Sequence, residues 1–272
     1  MIPRSAFARF SVREHAQATR LIEGLRGYHQ QTYARPEREV RRLGRRWAGE
    51  LGTQNPYARE RWMRALGAGL CREVGARAPD WAPQVPVFFV TLIDKTQIVY
   101  PAGCTRGYRP NPRIVDIRRY YRRALRGLDY LGMLDPALYV SAQRVQGVSR
   151  FLLWHAHALV WNTSEAELDA WAEGVRPTMS AYLPYASAVK CSEIVPEDLR
   201  QMIWYMNKTP RKQYQLWKRQ SESFKQYKRD INGVNSVRLY AEMRGVALPE
   251  LALAGGAGRP ILRQTIKVAS SW

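Results

Sequence analysis

Cysteine is scarce: Cys71, Cys104 and Cys191 stand far apart in 272 residues, with no CxxC pair among them. That spacing supports neither a disulfide framework nor a thiolate zinc site, and leaves buried thiols as the simplest reading. Long apolar runs are missing too. No stretch of about 18 apolar residues occurs, and the N-terminus lacks the basic, apolar, small-residue order of a secretory signal. We therefore expect a cytoplasmic chain with no membrane partner. No GxxxxGK[ST] loop is present, which excludes a nucleotide-driven motor of that type. Acidic residues are in short supply, 23 against 43 Lys+Arg for a net charge of +20, and only eight of the cations are lysine. A GC-rich coding bias would explain the Arg:Lys ratio but not the net charge. The imbalance points to a polyanionic partner, because guanidinium forks match phosphate oxygens. A membrane surface would require a basic amphipathic helix with an apolar face, or a lipidation signal, and neither stands out.

Residues 1–80 hold sixteen Arg, no Lys and eight acids. They read as an Arg-rich helical N-terminal region with Gly interruptions, notably from Glu37 to Val74. Pro79, Pro83 and Pro86 break that pattern, and the apolar run from Val87 to Ile93 is strand-like. A helix is expected from Arg113 to Leu131, with Ile114, Ile117, Tyr121, Ala124 and Leu128 on one side. The apolar segments Ala137–Val145 and Phe151–Trp161, separated by Gln146-Gly147-Val148-Ser149, predict an antiparallel hairpin. Asn162-Thr163-Ser164 offers N-caps for a helix reaching Glu173. A short strand is expected near Ser187–Glu193, then a helix from Pro196 to Lys208 that Pro210 interrupts. Arg211–Arg229 reads as a basic helix with Tyr214, Trp217, Phe224 and Tyr227 interleaved. Val237–Met243 reads as a last helix, and Ala254–Gly258 as a turn or flexible tail. This divides the chain into the N-terminal region, a domain over 81–215, and a basic helical C-terminal region and tail over 216–272. No internal repeat occurs.

The most informative segment is His155-Ala156-His157, inside an apolar run. Residues i and i+2 of a strand share a side, so both imidazoles can converge on one metal ion. Four histidines placed at random in 272 residues would give this pair in roughly 0.06 of chains. That favours an ion over a pair of histidines on a half-exposed strand. Downstream, Tyr205-Met206-Asn207-Lys208 puts a phenol and an ammonium three residues apart on one helical face, where both can meet one phosphate. Alone this match is weak: fifteen tyrosines and eight lysines give about 0.4 such pairs by chance. Tyr205 also fits a core aromatic beside Trp204.

In order, Phe89-Val90-Thr91-Leu92, then His155-Ala156-His157-Ala158-Leu159-Val160, then Tyr205-Met206-Asn207-Lys208 resembles the three motifs of rolling-circle replication initiators in the HUH endonuclease superfamily. The resemblance spans residues 85–215. Conjugative relaxases normally place the tyrosine before the histidines, so the order favours initiators and related transposases. What the resemblance implies is an α+β fold with a central antiparallel sheet of about five strands, the histidine pair on a central strand and helices packed against it. The helical N- and C-terminal parts are additions to that core. It also implies that 81–215 is a nuclease domain, that His155 and His157 hold Mg²⁺ or Mn²⁺, and that Tyr205 attacks a backbone phosphate to form a 5′-phosphotyrosine link. Lys208 would orient the phosphate or the tyrosine. Many family members take a third ligand, a carboxylate or sometimes Gln, from the strand before the histidines. No Asp or Glu occurs from Pro136 through Trp161, so Gln143, ahead of Gln146, is the expected third ligand. A neutral amide is a weaker ligand for a hard ion than a carboxylate. With Thr209 four residues after Tyr205, a single-tyrosine enzyme is expected. Tyr214 lies beyond Pro210, and Tyr182 and Tyr185 read as packing or turn residues.

From Arg200 to Arg229 there are nine Lys+Arg and one acid, Glu222. Arg211, Lys212, Lys218 and Arg219 are the cations expected to contact DNA, with interleaved aromatics available to stack on unpaired bases. An amphipathic helix with those aromatics in the core fits the individual rings better. The partner implied is single-stranded DNA at an origin or nick site, with unwinding left to a host helicase. The activity implied is initiation of rolling-circle replication for a plasmid, phage or mobile element, a transposase of the same chemistry being a close variant. From another class, a non-catalytic single-stranded nucleic-acid-binding protein would keep the sheet and the basic surface.

Overall fold

Three long, largely buried strands organise the chain. The computed structural model describes residues 4–32, 36–46, 51–77, 82–101, 104, 111–140, 148–183, 185–218 and 224–271. Three helices come first: α1 (Arg4–Thr32), α2 (Pro36–Gly44) and α3 (Pro56–Glu73). Strand β1 (Phe88–Val99) follows, burying Phe88, Val90 and Leu92 with the period of two that its sequence dictates. Helix α4 (Ile114–Ala124) leads to β2 (Asp129–Val140) and β3 (Arg150–Trp161). β3 is central, antiparallel to β1 on one side and β2 on the other. Helix α5 (Glu165–Val175) begins at the expected cap: Ser164 accepts from the Glu167 N–H while Glu167 accepts from the Ser164 N–H. Strand β4 (Val189–Glu193) joins the outer edge of β1. Helix α6 (Leu199–Asn207) then carries Tyr205, with Lys208 just past its end as the extended C-cap residue.

The remaining elements are strands β5 (Lys212–Lys218) and β6 (Phe224–Asp230), helices α7 (Gly233–Met243) and α8 (Leu248–Leu251), strand β7 (Ala252–Gly255) and helix α9 (Gly258–Ser270). The result is an α+β fold with one sheet of seven strands, ordered β4-β1-β3-β2-β5-β6, and β7 also on β2. Strands β4, β1, β3, β2 and β7 each run antiparallel to their neighbours, the five-stranded antiparallel core that the resemblance implies. The β5–β6 hairpin adds to β2 in parallel and makes the sheet mixed.

Three expectations need correction. The helix from Arg113 stops at Ala124, and Gly127 at φ +92° turns the chain into a strand that starts at Asp129, before the segment expected to begin at Ala137. Arg211–Arg229 is not helical: after Pro210, its aromatic, β-prone residues form a hairpin completing the edge of β2. The glycine-rich segment is not a tail, because β7 pairs with Tyr130–Met133 and α9 packs on α3. A Cβ on Gly256, at φ +47°, would stand 1.7 Å from Asp129 Oδ1, so close approach requires glycine there.

Two partners share the outer edge of β2. β7 pairs with residues 130–133 and β5 with residues 138–140. Asp135 and Pro136 fall in the gap between them, where a residue without an N–H is tolerated.

The N-terminal helices are built into this core. Trp62, Leu66 and Leu70 of α3 are fully buried in the same apolar cluster as Val90, Leu131 and Leu159 of the sheet. They also hold the end of α6. Arg59 of α3 donates to the Asn207 carbonyl at 2.5 Å, where a cation offsets the negative end of the helix. Buried Glu14 of α1 accepts from the Thr209 N–H, the Thr209 hydroxyl and Arg211. Removing one partner of such a buried pair strands the others. Glu14→Ala is expected to cost about 3 kcal/mol, read from urea unfolding midpoints at constant slope. A change below about 0.5 kcal/mol, the range of surface substitutions, would show that the brace is not needed.

Candidate metal centre

β3 presents His155 and His157 from one face. Across the ladders, His155 stands opposite Asp135 of β2 and Ile93 of β1, while His157 stands opposite Met133 and Thr91. The ligand atoms of Asp135, His155 and His157 all lie within 4.8 Å of one another, a group able to hold a metal ion. The two imidazole Nε2 atoms are 3.0 Å apart, and Asp135 Oδ2 is 3.7 Å from that of His155 and 4.0 Å from that of His157.

Burial holds both imidazoles below the usual histidine range. His157 is lowered further, with His155 as the second cause, whereas Asp135 opposes the shift at His155. Both rings are therefore neutral near pH 7, and one arrangement of protons satisfies their contacts. His155 Nδ1–H donates to the Leu153 carbonyl at 3.4 Å, leaving its Nε2 to accept from His157 Nε2–H. His157 Nδ1 then accepts from the Thr91 hydroxyl at 3.1 Å. An ion on both Nε2 atoms would move only the His157 proton, to Nδ1, where Thr91 Oγ1 can accept it. Thr91 would then be the outer partner that fixes the ligand's tautomer.

Helix α6 brings the second motif to the same point. The Tyr205 ring lies 5.2 Å from that of His157 and 5.8 Å from that of Phe89, which itself stacks on His157. Lys208 Nζ is 3.6 Å from Asp135 Oδ2, donates to the Tyr205 carbonyl at 3.0 Å and sits 3.5 Å from the Tyr205 ring centre. Burial raises the Tyr205 phenol pKa, with the Asp135 charge adding to it, so the phenol is protonated at neutral pH. Burial lowers the Lys208 ammonium, and Asp135 opposes that shift.

The fold therefore brings His155, His157, Tyr205 and Lys208 together, and adds Asp135. Sequence reasoning misses Asp135 because it starts the strand at Ala137, two residues past that carboxylate and eight past the true start at Asp129. The available signal is a lone carboxylate inside the apolar run from Tyr130 to Val140. Gln143, the expected third ligand, lies outside the described residues, as does Arg219. Arg211 is committed to Glu14, Lys212 pairs with Asp230 at 2.6 Å, and Lys218 ends β5. Tyr214 is on β5, stacked on Tyr139, which stacks in turn on Phe151. Tyr139, Tyr182, Tyr185 and Tyr214 line a cavity of about 370 Å³ that opens beside His155.

Comparisons of the chain with protein-family models, curated proteins and solved structures found no match.

Calorimetric titration with Mn²⁺ checks the ligand set. Asp135→Ala is expected to weaken binding by more than about 100-fold, and Thr91→Val, which removes the partner of His157, by about 10-fold. Gln143→Ala should bind like the parent. Weakened binding in Gln143→Ala with Asp135→Ala unaffected would reverse the assignment.

Proposed function

We propose that the chain is a metal-dependent tyrosine endonuclease of the HUH type, which nicks and rejoins single-stranded DNA. The observation that carries this reading is the convergence of Tyr205 and Lys208 on the group formed by Asp135, His155 and His157. The resemblance to HUH endonucleases, with a carboxylate as a third, hard donor beside the two imidazoles, makes Mg²⁺ or Mn²⁺ the proposed ion. A divalent ion held there would polarise the scissile phosphate and offset its developing charge.

The chain's own residues supply the rest. Burial and the Asp135 charge both disfavour phenolate at Tyr205, and an ion held by that carboxylate would offset its charge. Tyr205 Oη then forms a bond to phosphorus as the P–O3′ bond breaks. The phenolic proton passes to solvent water and the leaving 3′-oxygen takes up a proton, giving a 5′-phosphotyrosine and a 3′-hydroxyl. Lys208 orients the phosphate electrostatically. Attack by a 3′-hydroxyl on the same phosphorus reverses the step and rejoins the strand.

A single-stranded substrate is supported by the cavity beside His155, where the exposed Tyr185 ring could stack on an unpaired base. Lys212, Lys218 and Arg219 on and beyond β5 are the proposed phosphate contacts. The proposed biological role is initiation of rolling-circle replication on a mobile element, with a host helicase unwinding the duplex.

Incubation with Mn²⁺ and a labelled oligonucleotide, followed by mass-spectrometric mapping of any SDS-stable adduct, tests this reading. The DNA-linked peptide is expected to contain Tyr205. Tyr205→Phe should abolish the adduct while leaving Mn²⁺ binding within about twofold, and Tyr214→Phe should retain it. An adduct that persists in Tyr205→Phe and vanishes in Tyr214→Phe would move the nucleophile to β5. No adduct under any metal would reject catalysis.

A further inference from the structure

A strongly basic concavity lies away from the candidate metal centre. At the Asp129 end of β2, six residues or about 20 Å along the strand from Asp135, a cavity of about 610 Å³ is lined by Arg118, Arg119, Arg122, Arg123, Arg126 and Arg259. Among its described lining residues the one acid is Asp129, and that carboxylate is already occupied. It accepts from the Ala257 N–H and from Asn162 Nδ2, both at 2.8 Å, holding the turn into α9. Of the six arginines, Arg119 has a carboxylate partner, Asp116 at 3.3 Å. The Nε of Arg118 is buried without a hydrogen-bond partner. Six guanidinium groups facing one space repel each other unless an anion fills it.

The arrangement suits a chain of charges. Arg118 and Arg122, like Arg119 and Arg123, stand one helical turn apart on α4, about 6 Å, and Arg126 follows just beyond the helix end. Arg259 closes the far wall from the first turn of α9. Among the cavity's described lining residues, none offers an open ring on which an unpaired base could stack. Its one aromatic, Tyr130, is 2% exposed and hydrogen-bonded with Arg122. Single-strand sites combine cations with open aromatic faces, and this cavity has cations alone.

We infer that the arginine-lined cavity between α4 and the start of α9 binds the backbone phosphates of double-stranded DNA. It contacts phosphate and not bases, so it positions a duplex without reading its sequence. The site stands independently of the metal-centre reading, and it gives the chain a second binding surface, for duplex DNA beside a single-stranded segment at β3.

Arg123→Gln/Arg126→Gln/Arg259→Gln tests it, three exposed positions with no carboxylate partner among the described residues. Binding of a fluorescent duplex of arbitrary sequence is measured by anisotropy across a salt series. The variant is expected to flatten the slope of log K against log salt by about 0.9 for each phosphate it no longer neutralises, roughly 2 to 3 in all. The matching triple Lys variant, which keeps the charges, should restore most of it and guards against misfolding. Slopes identical in parent and Gln variant would overturn the proposal. So would binding of inorganic pyrophosphate that disappears in the variant with duplex affinity unchanged, which would assign the cavity to a small free anion. Failure of adduct formation at Tyr205 leaves these outcomes untouched, so the two readings fail separately.

Discussion

The pairing of β2 with β3 over twelve residues sets Asp135 opposite His155, and the site depends on that register. Side chains alternate faces along a strand, so a slip of one residue would turn Asp135 away from both histidines. The register is secured by burial on both faces. Leu131, Leu134, Leu138, Leu152 and Leu159 are all buried, and each would be displaced by a slip. Gly132 secures it further, since a Cβ there would stand 2.6 Å from the His157 carbonyl oxygen. β2 and β3 can approach closely beside the metal group only because that side chain is missing.

The second requirement is a fixed helix α6. A nine-residue helix is too short to hold its own geometry in water, and its C-terminal end carries Tyr205 and Lys208. Arg59 and Glu14, both from the N-terminal helices, hold that end from the protein side, and β5 continues directly into the sheet. The Arg-rich N-terminal region thus has a structural task distinct from any contact with DNA. The buried charges are matched: Glu14 meets Arg211 and Thr209, and Lys208 meets Asp135. Asp135 faces both the histidine pair and Lys208, so the end of α6 is tied to the same carboxylate as the two imidazoles.

The parts of this arrangement carried by local sequence are legible. The period-two run of β1, the apolar run of β3, the Ser164–Glu167 cap and the closeness of Tyr205 and Lys208 all follow from residues within a few positions of each other. What is not legible depends on distant partners. The spacing from Ile114 to Leu128 is helical, and only the left-handed turn at Gly127 ends it, so the sequence alone sets β2 too far downstream and passes over Asp135. Tyr214, Trp217, Phe224 and Tyr227 have spacings that also fit a helix. They form strands because the outer edge of β2 is open to pairing some 75 residues upstream, where Tyr139 meets Tyr214. Arg211 reads as a free cation in the sequence, and its partner Glu14 lies 197 residues away. The glycines near the C-terminus read as flexible, yet they are where backbone must pass closest to Asp129 and Tyr130.

Everything proposed for the site rests on Asp135, His155 and His157 sharing one divalent ion, and anomalous scattering from crystals grown with Mn²⁺ decides that point. One strong peak is expected about 2.1 Å from both imidazole Nε2 atoms and from a carboxylate oxygen of Asp135, with Thr91 now accepting from His157 Nδ1. A peak bound elsewhere, with the two Nε2 atoms still sharing a proton at 3.0 Å, would contradict it.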